Sequence, residues 1–177
     1  MGLSGTQRVI EQLVADHYES LFRYAYRLSG SAADAEDLTQ ETFCKAQTNL
    51  SQLREQHRAR PWLYSILRNA FLHRVRAVKQ NHCVSLDDTE DMSEALPDVL
   101  PDIDGEQLQL ALNELPEVFR NVIVLYYFDD FSYRDIAEQM DLPIGTVMSR
   151  LARAKGYLKA KLSPKSATLA NGSSGSE

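Results

Sequence analysis

The chain is poor in cysteine: its two, Cys44 and Cys83, stand far apart with no second thiol at ligand spacing. That excludes a disulfide framework and a zinc ribbon and leaves both as free thiols. His82 beside Cys83 lacks two further ligands, and adjacent residues rarely share one ion, so no metal site is expected. Long apolar runs are missing as well. Nothing approaches the roughly 18 consecutive apolar residues of a membrane helix, and Met1 to Arg8 lacks the basic-then-apolar order of a signal peptide. A cytoplasmic chain with no membrane insertion is expected. No stretch alternates with period two long enough for a strand, which leaves an all-α fold. No glycine-rich phosphate loop and no nucleophile with its base is present, so neither a cofactor nor catalysis is implied.

What is present is charge of both signs, unevenly placed. The 177 residues carry a net charge of -6, the wrong sign for a nucleic-acid binder until it is located. Residues 1–82 hold 11 Lys or Arg against 8 Asp or Glu, and residues 106–162 nearly balance at 7 against 8. The acidity belongs to residues 83–105, with 8 acids and no base. That segment also carries two prolines and a glycine, and cannot bury enough apolar surface to order itself, so it reads as a flexible acidic linker. Asp102 to Gly105 lacks the spacing and closing glutamate of a calcium loop.

The linker divides the chain into two small helical domains, 9–82 and 106–162, followed by a patternless tail, 163–177, expected to be disordered. In the first domain Leu21, Phe22, Ala25 and Leu28 recur at helical spacing. Gly30 and Ser31 break the pattern, and Ser31 with Asp34 offers a capping box for a helix to about Leu50. Ser51 to Arg60 reads as a loop. A further helix starts near Pro61, with Trp62, Ile66, Asn69 and Leu72 as its mainly apolar stripe and Trp62 read as core. Between Arg54 and Lys79 stand seven Lys or Arg against one acid, interleaved with Trp62, Tyr64 and Phe71. Cations with rings suit phosphates and unstacked bases, so capture of one base is expected at the loop Leu50 to Arg60.

In the second domain Leu108, Ala111, Leu112 and Leu115 form one helical stripe, and Phe119, Val122, Ile123 and Tyr126 another, with Pro116 between them. Ser132 and Asp135 then form a capping box for a short helix to Met140, whose buried face is Ile136, Ala137 and Met140. Asp141, Leu142 and Pro143 turn the chain into a longer helix, Ile144 to Leu162, with Val147, Leu151, Ala154, Leu158 and Leu162 on one face. Thr146, Ser149, Arg150, Arg153 and Tyr157 lie opposite, flanked by Lys155, Lys159 and Lys161, and no acid occurs from Gly145 to Leu162. This is the pattern of a helix-turn-helix whose second helix enters a major groove.

Three stretches in this order resemble the extracytoplasmic-function (ECF) group of sigma-70 factors over about residues 10–162. Asp34 to Phe43 (DAEDLTQETF) resembles the polymerase-binding signature, Arg60 to Asn69 (RPWLYSILRN) the minus-ten helix, and Leu115-Pro116-Glu117 with Phe131 to Ala154 the minus-thirty-five reader. The resemblance implies an alternative sigma factor. Its partners would be core RNA polymerase, bound through the clamp helices of the largest subunit, promoter DNA and an anti-sigma factor. By that resemblance Asp34, Asp37, Leu38, Gln40, Glu41 and Phe43 bind polymerase. Arg58, Arg60, Arg68, Asn69, Arg74 and Arg76, with Thr146, Met148, Ser149, Arg150, Arg153 and Lys155, bind DNA. Family members often carry an acid at His73 and an arginine at Met148, so contacts at those two places are expected to differ. The linker would thread the polymerase's RNA channel, its carboxylates mimicking phosphates. The alternatives are a stand-alone helix-turn-helix regulator, which needs a dimerisation helix or phosphoacceptor sheet not seen in the sequence, and a metal enzyme using the linker carboxylates.

Overall fold

The computed structural model describes residues 5–80 and 105–162, without the side chains of 78–80. The expected linker up to residue 104, with His82 and Cys83, and the expected tail lie outside the described residues. Among the described residues seven α-helices follow one another: α1 (Gly5–Ser29), α2 (Ala32–Thr48), α3 (Ala59–Gln80), α4 (Gly105–Glu114), α5 (Glu117–Tyr127), α6 (Tyr133–Met140) and α7 (Ile144–Leu162). The described residues contain no strand. α4 opens at Gly105, the last position assigned to the linker.

Local chemistry sets the boundaries. Gly30 ends α1 at φ +73, a left-handed conformation open to glycine without strain, and its N–H donates to Tyr26 O. A Cβ there would lie 2.5 Å from the Asn113 side chain, so the position also lets the second half approach. Ser31 caps α2 by accepting from Asp34 N–H, but the reciprocal half of the expected capping box is replaced: the Ser31 N–H goes to Ser29 Oγ. At α6 the box is complete, with Ser132 and Asp135 each accepting the other's backbone N–H. The expected loop Ser51 to Arg60 contains two 3-10 turns, Leu50–Gln52 and Gln56–Arg58, and α3 starts at Ala59, two residues ahead of Pro61. Proline fits in that first turn, where its missing N–H has no helical acceptor to lose.

In the first half α1 packs on α2 and both pack on α3; in the second, α7 packs on α4, α5 and α6. The stripe expected on α3 is displaced. Leu63, Tyr64, Leu67, Ala70 and Phe71 are buried, Trp62, Ile66 and Leu72 are half-buried, and Asn69 is exposed. The buried residues still recur at helical spacing, but on a face offset from the expected one, with α1 and α2 as its main cover and Asp129 and Phe131 of the second half against Tyr64. The halves therefore pack against each other, α1 on α4 and α5, and α3 on α6.

Candidate nucleic-acid interface

The seam between the halves is polar and built on α3. The Arg60 guanidinium donates to the Asp129 carbonyl and lies 4.8 Å over the Phe131 ring. Tyr64 O–H donates to Asp129 Oδ1 at 2.6 Å, while Tyr24 O–H, from α1, donates to Asn121 Oδ1 at 3.1 Å. Further along α3, Arg68 Nη1 donates to Gln139 O at 3.2 Å, and in the turn before α3 Arg58 lies 3.6 Å from Glu138. Two of the arginines expected on DNA are thus held by backbone carbonyls of the second half, and a third is paired with an α6 carboxylate.

Burial of Asp129 penalises its charge, and Oδ2 has no partner among the described residues. Its pKa is pushed up to about 6, against the lowering effect of the Tyr64 hydrogen bond and the Arg60 charge. Burial likewise raises Tyr64 and Tyr24 well above the ordinary tyrosine range, so both remain proton donors. Burial pulls Arg68 downward, and the nearby charges of Arg76 and Arg150 act the same way. The three cations are close enough to repel.

The remaining α3 residues divide. Asn69 and Arg76 are exposed, whereas Arg74 Nη2 is paired with Glu41 Oε2 at 2.7 Å. Lys45 lies 2.7 Å from Glu41 Oε1, and the hydrogen bond from Lys45 leads the lowering of the Glu41 pKa, with Arg74 adding to it. Of the α2 residues expected on polymerase, Asp34, Asp37 and Gln40 are exposed as an outward polar face, Glu41 is half-buried, and Leu38 and Phe43 are buried in the core. Phe43 also stacks with Tyr18, centroids 6.4 Å apart. Tyr64 and Phe71, expected among rings available to bases, are buried at 0% and 7% exposure. Trp62 is half-buried against the core and borders a cleft of about 920 Å³. Leu53, Arg54, His57, Arg58 and Ser65 form one wall of that cleft, so the loop expected to capture a base does border an open space. Asp135, Glu138 and Gln139 of α6 form the facing wall.

The second site is open. Between α6 and α7 the turn residue Asp141 adopts φ 52, and its N–H reaches the Ala137 and Glu138 carbonyls, which closes α6 and redirects the chain. α7 buries Val147, Leu151, Ala154 and Leu158, with Leu162 half-buried at its end. Met148 and Ser149 are exposed, and Thr146, Arg150 and Arg153 are half-exposed. Lys155 lies 5.1 Å over the Tyr127 ring and 5.9 Å from that of Tyr126. Tyr157 O–H donates to Glu114 Oε2 at 2.9 Å, an oxygen shared with Lys161, so this end of the expected basic face is tied to α4. The seam partners Asn121, Asp129, Glu138 and Gln139 were not anticipated. They meet α1 and α3 across 65 to 97 residues, and no local spacing signals a contact of that range.

No group of three metal-binding side chains, and no helix long and apolar enough to cross a membrane, occurs among the described residues. Residues 13–80 match the Sigma-70 region 2 family and residues 105–158 the Sigma-70 region 4 family. The ECF RNA polymerase sigma factor SigW of Bacillus subtilis is 30% identical over 170 residues, covering 89% of this chain and 91% of that protein. SigE of Mycolicibacterium smegmatis is 34% identical over 166 residues, 90% of this chain and 64% of its own length. Among solved structures, the sigma factor RpoE bound to the anti-sigma factor NepR from Bartonella quintana aligns with a TM-score of 0.70 at 29% identity, covering 87% of this chain and 96% of that one. CnrH in complex with the cytosolic domain of CnrY aligns at 0.62 with 25% identity, covering 89% of each.

Proposed function

The chain belongs to the ECF group of the sigma-70 family and is an alternative sigma factor; from that premise we propose how its own residues divide the work. α7 enters the major groove of the minus-thirty-five element, with Thr146, Met148 and Ser149 toward bases and Arg150, Arg153 and Lys155 toward phosphates. Arg58, Arg60, Arg68, Asn69, Arg74 and Arg76 handle the minus-ten strand, and the outward α2 face of Asp34, Asp37, Gln40 and Glu41 docks on a basic polymerase surface. Leu38 and Phe43 position that face from the core and do not touch the partner directly. The chain works in the cytoplasm and catalyses nothing itself.

The observation that carries this reading is the acid-free α7, exposed along its first turns and held by a fully capped α6. Its counterpart on α3 adds a condition. Arg60 and Arg68 are half-buried against the second half, each with one N–H on the Asp129 or Gln139 carbonyl, so on this reading the seam opens before the minus-ten element reaches them. RpoE and CnrH are each solved with another protein bound, RpoE with an anti-sigma factor, and we read this chain as the target of an inhibitor of that kind. Run-off transcription tests the assignment: core polymerase plus this chain selects promoters from a library, and Arg150→Ala and Arg153→Ala change the selection. A purified chain that fails to associate with core polymerase in the absence of any inhibitor contradicts it.

A further inference from the structure

Among the described residues, two of the large apolar side chains left exposed lie one turn apart at the start of α7: Ile144 at 47% and Met148 at 52%. A single exposed apolar side chain requires no explanation, but a pair at this place does. The core stripe of α7 runs through Val147, Leu151, Ala154 and Leu158, so Met148 is not needed to fill it. Its outward neighbours are small. Gly145 has open space where a Cβ would stand, and Ser149 Oγ already donates to the Thr146 carbonyl at 3.0 Å. The hydroxyl beside Met148 is therefore engaged within the helix, and Met148 has the longest apolar reach on this surface. With no acid from Gly145 to Leu162, nothing on α7 repels a phosphate backbone.

The major-groove edges of B-DNA offer one apolar group to such a side chain, the C5-methyl of thymine. A thioether on three rotatable bonds adapts to its position. We infer that Met148, flanked by Ile144, is a specificity-determining residue that packs on the C5-methyl of a thymine in the minus-thirty-five element. This rests on the reading of α7 as the helix that enters that groove. At this position the base preference comes from a methyl contact, where an arginine would hydrogen-bond guanine.

The test uses holoenzyme assembled from core polymerase and the full chain, on an element selected from a randomised library. Each thymine is replaced in turn by deoxyuridine, which removes only the methyl group. Initiation at limiting holoenzyme is then compared for the unsubstituted chain, Met148→Leu and Met148→Ala. One replacement is expected to lower initiation about fourfold in the unsubstituted chain, the factor that corresponds to burying one methyl group. Met148→Leu keeps that sensitivity and Met148→Ala loses it. If no thymine is sensitive, or if Met148→Ala remains equally sensitive, the inference is overturned, while loss of initiation on scrambling the whole element leaves the reading of α7 standing. If scrambling has no effect, the reading of α7 falls and the inference with it.

Discussion

α3 and α7 are both arginine-bearing helices assigned to DNA, yet the free chain treats them differently. On α7 the groove-facing Met148 and Ser149 are exposed and Thr146 and Arg150 half-exposed, and the buried stripe lies on the other side. On α3 three of the cations are engaged, Arg60 and Arg68 by carbonyls of the second half and Arg74 by Glu41, while Arg76 is exposed. A basic surface is therefore not equivalent to an available one. Each seam bond takes one N–H of its guanidinium and the packing half-buries the rest of the group, so closure and strand binding compete for access to the same side chains.

The largest effect separates the two helices directly. Arg150→Ala combined with Arg153→Ala is expected to reduce promoter-selective run-off on the order of tenfold to a hundredfold. Closure should not weaken, because neither side chain forms a bond across the seam and removing Arg150 relieves its repulsion of Arg68. Tyr64→Phe comes next. It keeps the buried ring but leaves the Asp129 carboxylate without its hydroxyl donor, a loss of about 1.5–3 kcal/mol that shifts the free chain toward opening by roughly tenfold or more. Spin labels on Cys44 and at Lys159→Cys, in a Cys83→Ser background, report it as a longer interlabel distance.

A smaller effect follows from pH. Asp129 is raised to about 6 in the closed chain, with Arg60, Tyr64, Arg23 and Asp130 as the charged or titratable groups around it. A group whose closed-state pKa is raised binds its proton more tightly when closed. Closure therefore strengthens as pH falls through about 6 and weakens as pH rises above it. From about pH 7.5 to about pH 5.5 the closed-to-open ratio is expected to grow about fourfold by the same distance measurement. Asp129→Asn, which still offers Tyr64 an acceptor and cannot titrate, should flatten that dependence. The smallest effect is that of Glu138→Ala. Arg58 and Glu138 are 63% and 71% exposed at 3.6 Å, so losing the pair should shift opening by less than about twofold.

Legibility in the sequence follows the same divide. The capping box at Ser132, the turn at Asp141 and the bounds and buried face of α7 were readable, because each is written in residues a few positions apart. α3 was read with its stripe displaced, since Tyr64 is covered by Asp129 and Phe131, some sixty-five residues away in sequence. Trp62 was read as core, whereas Tyr64 and Phe71 were counted among rings for DNA because composition records that a ring is present, not which side of the helix is covered. Glu41 and Arg74 were assigned to different partners, and the sequence carried no sign that they meet.

The central claim is that holding the seam and reading a promoter are mutually exclusive states of one chain. The most direct test is the Cys44 to residue 159 label distance, measured in the free protein and again with core polymerase and promoter DNA added. A short, narrow distribution that moves to a distinctly longer one in the initiation complex is the predicted result. A short distance that persists in a complex actively making RNA would contradict the account.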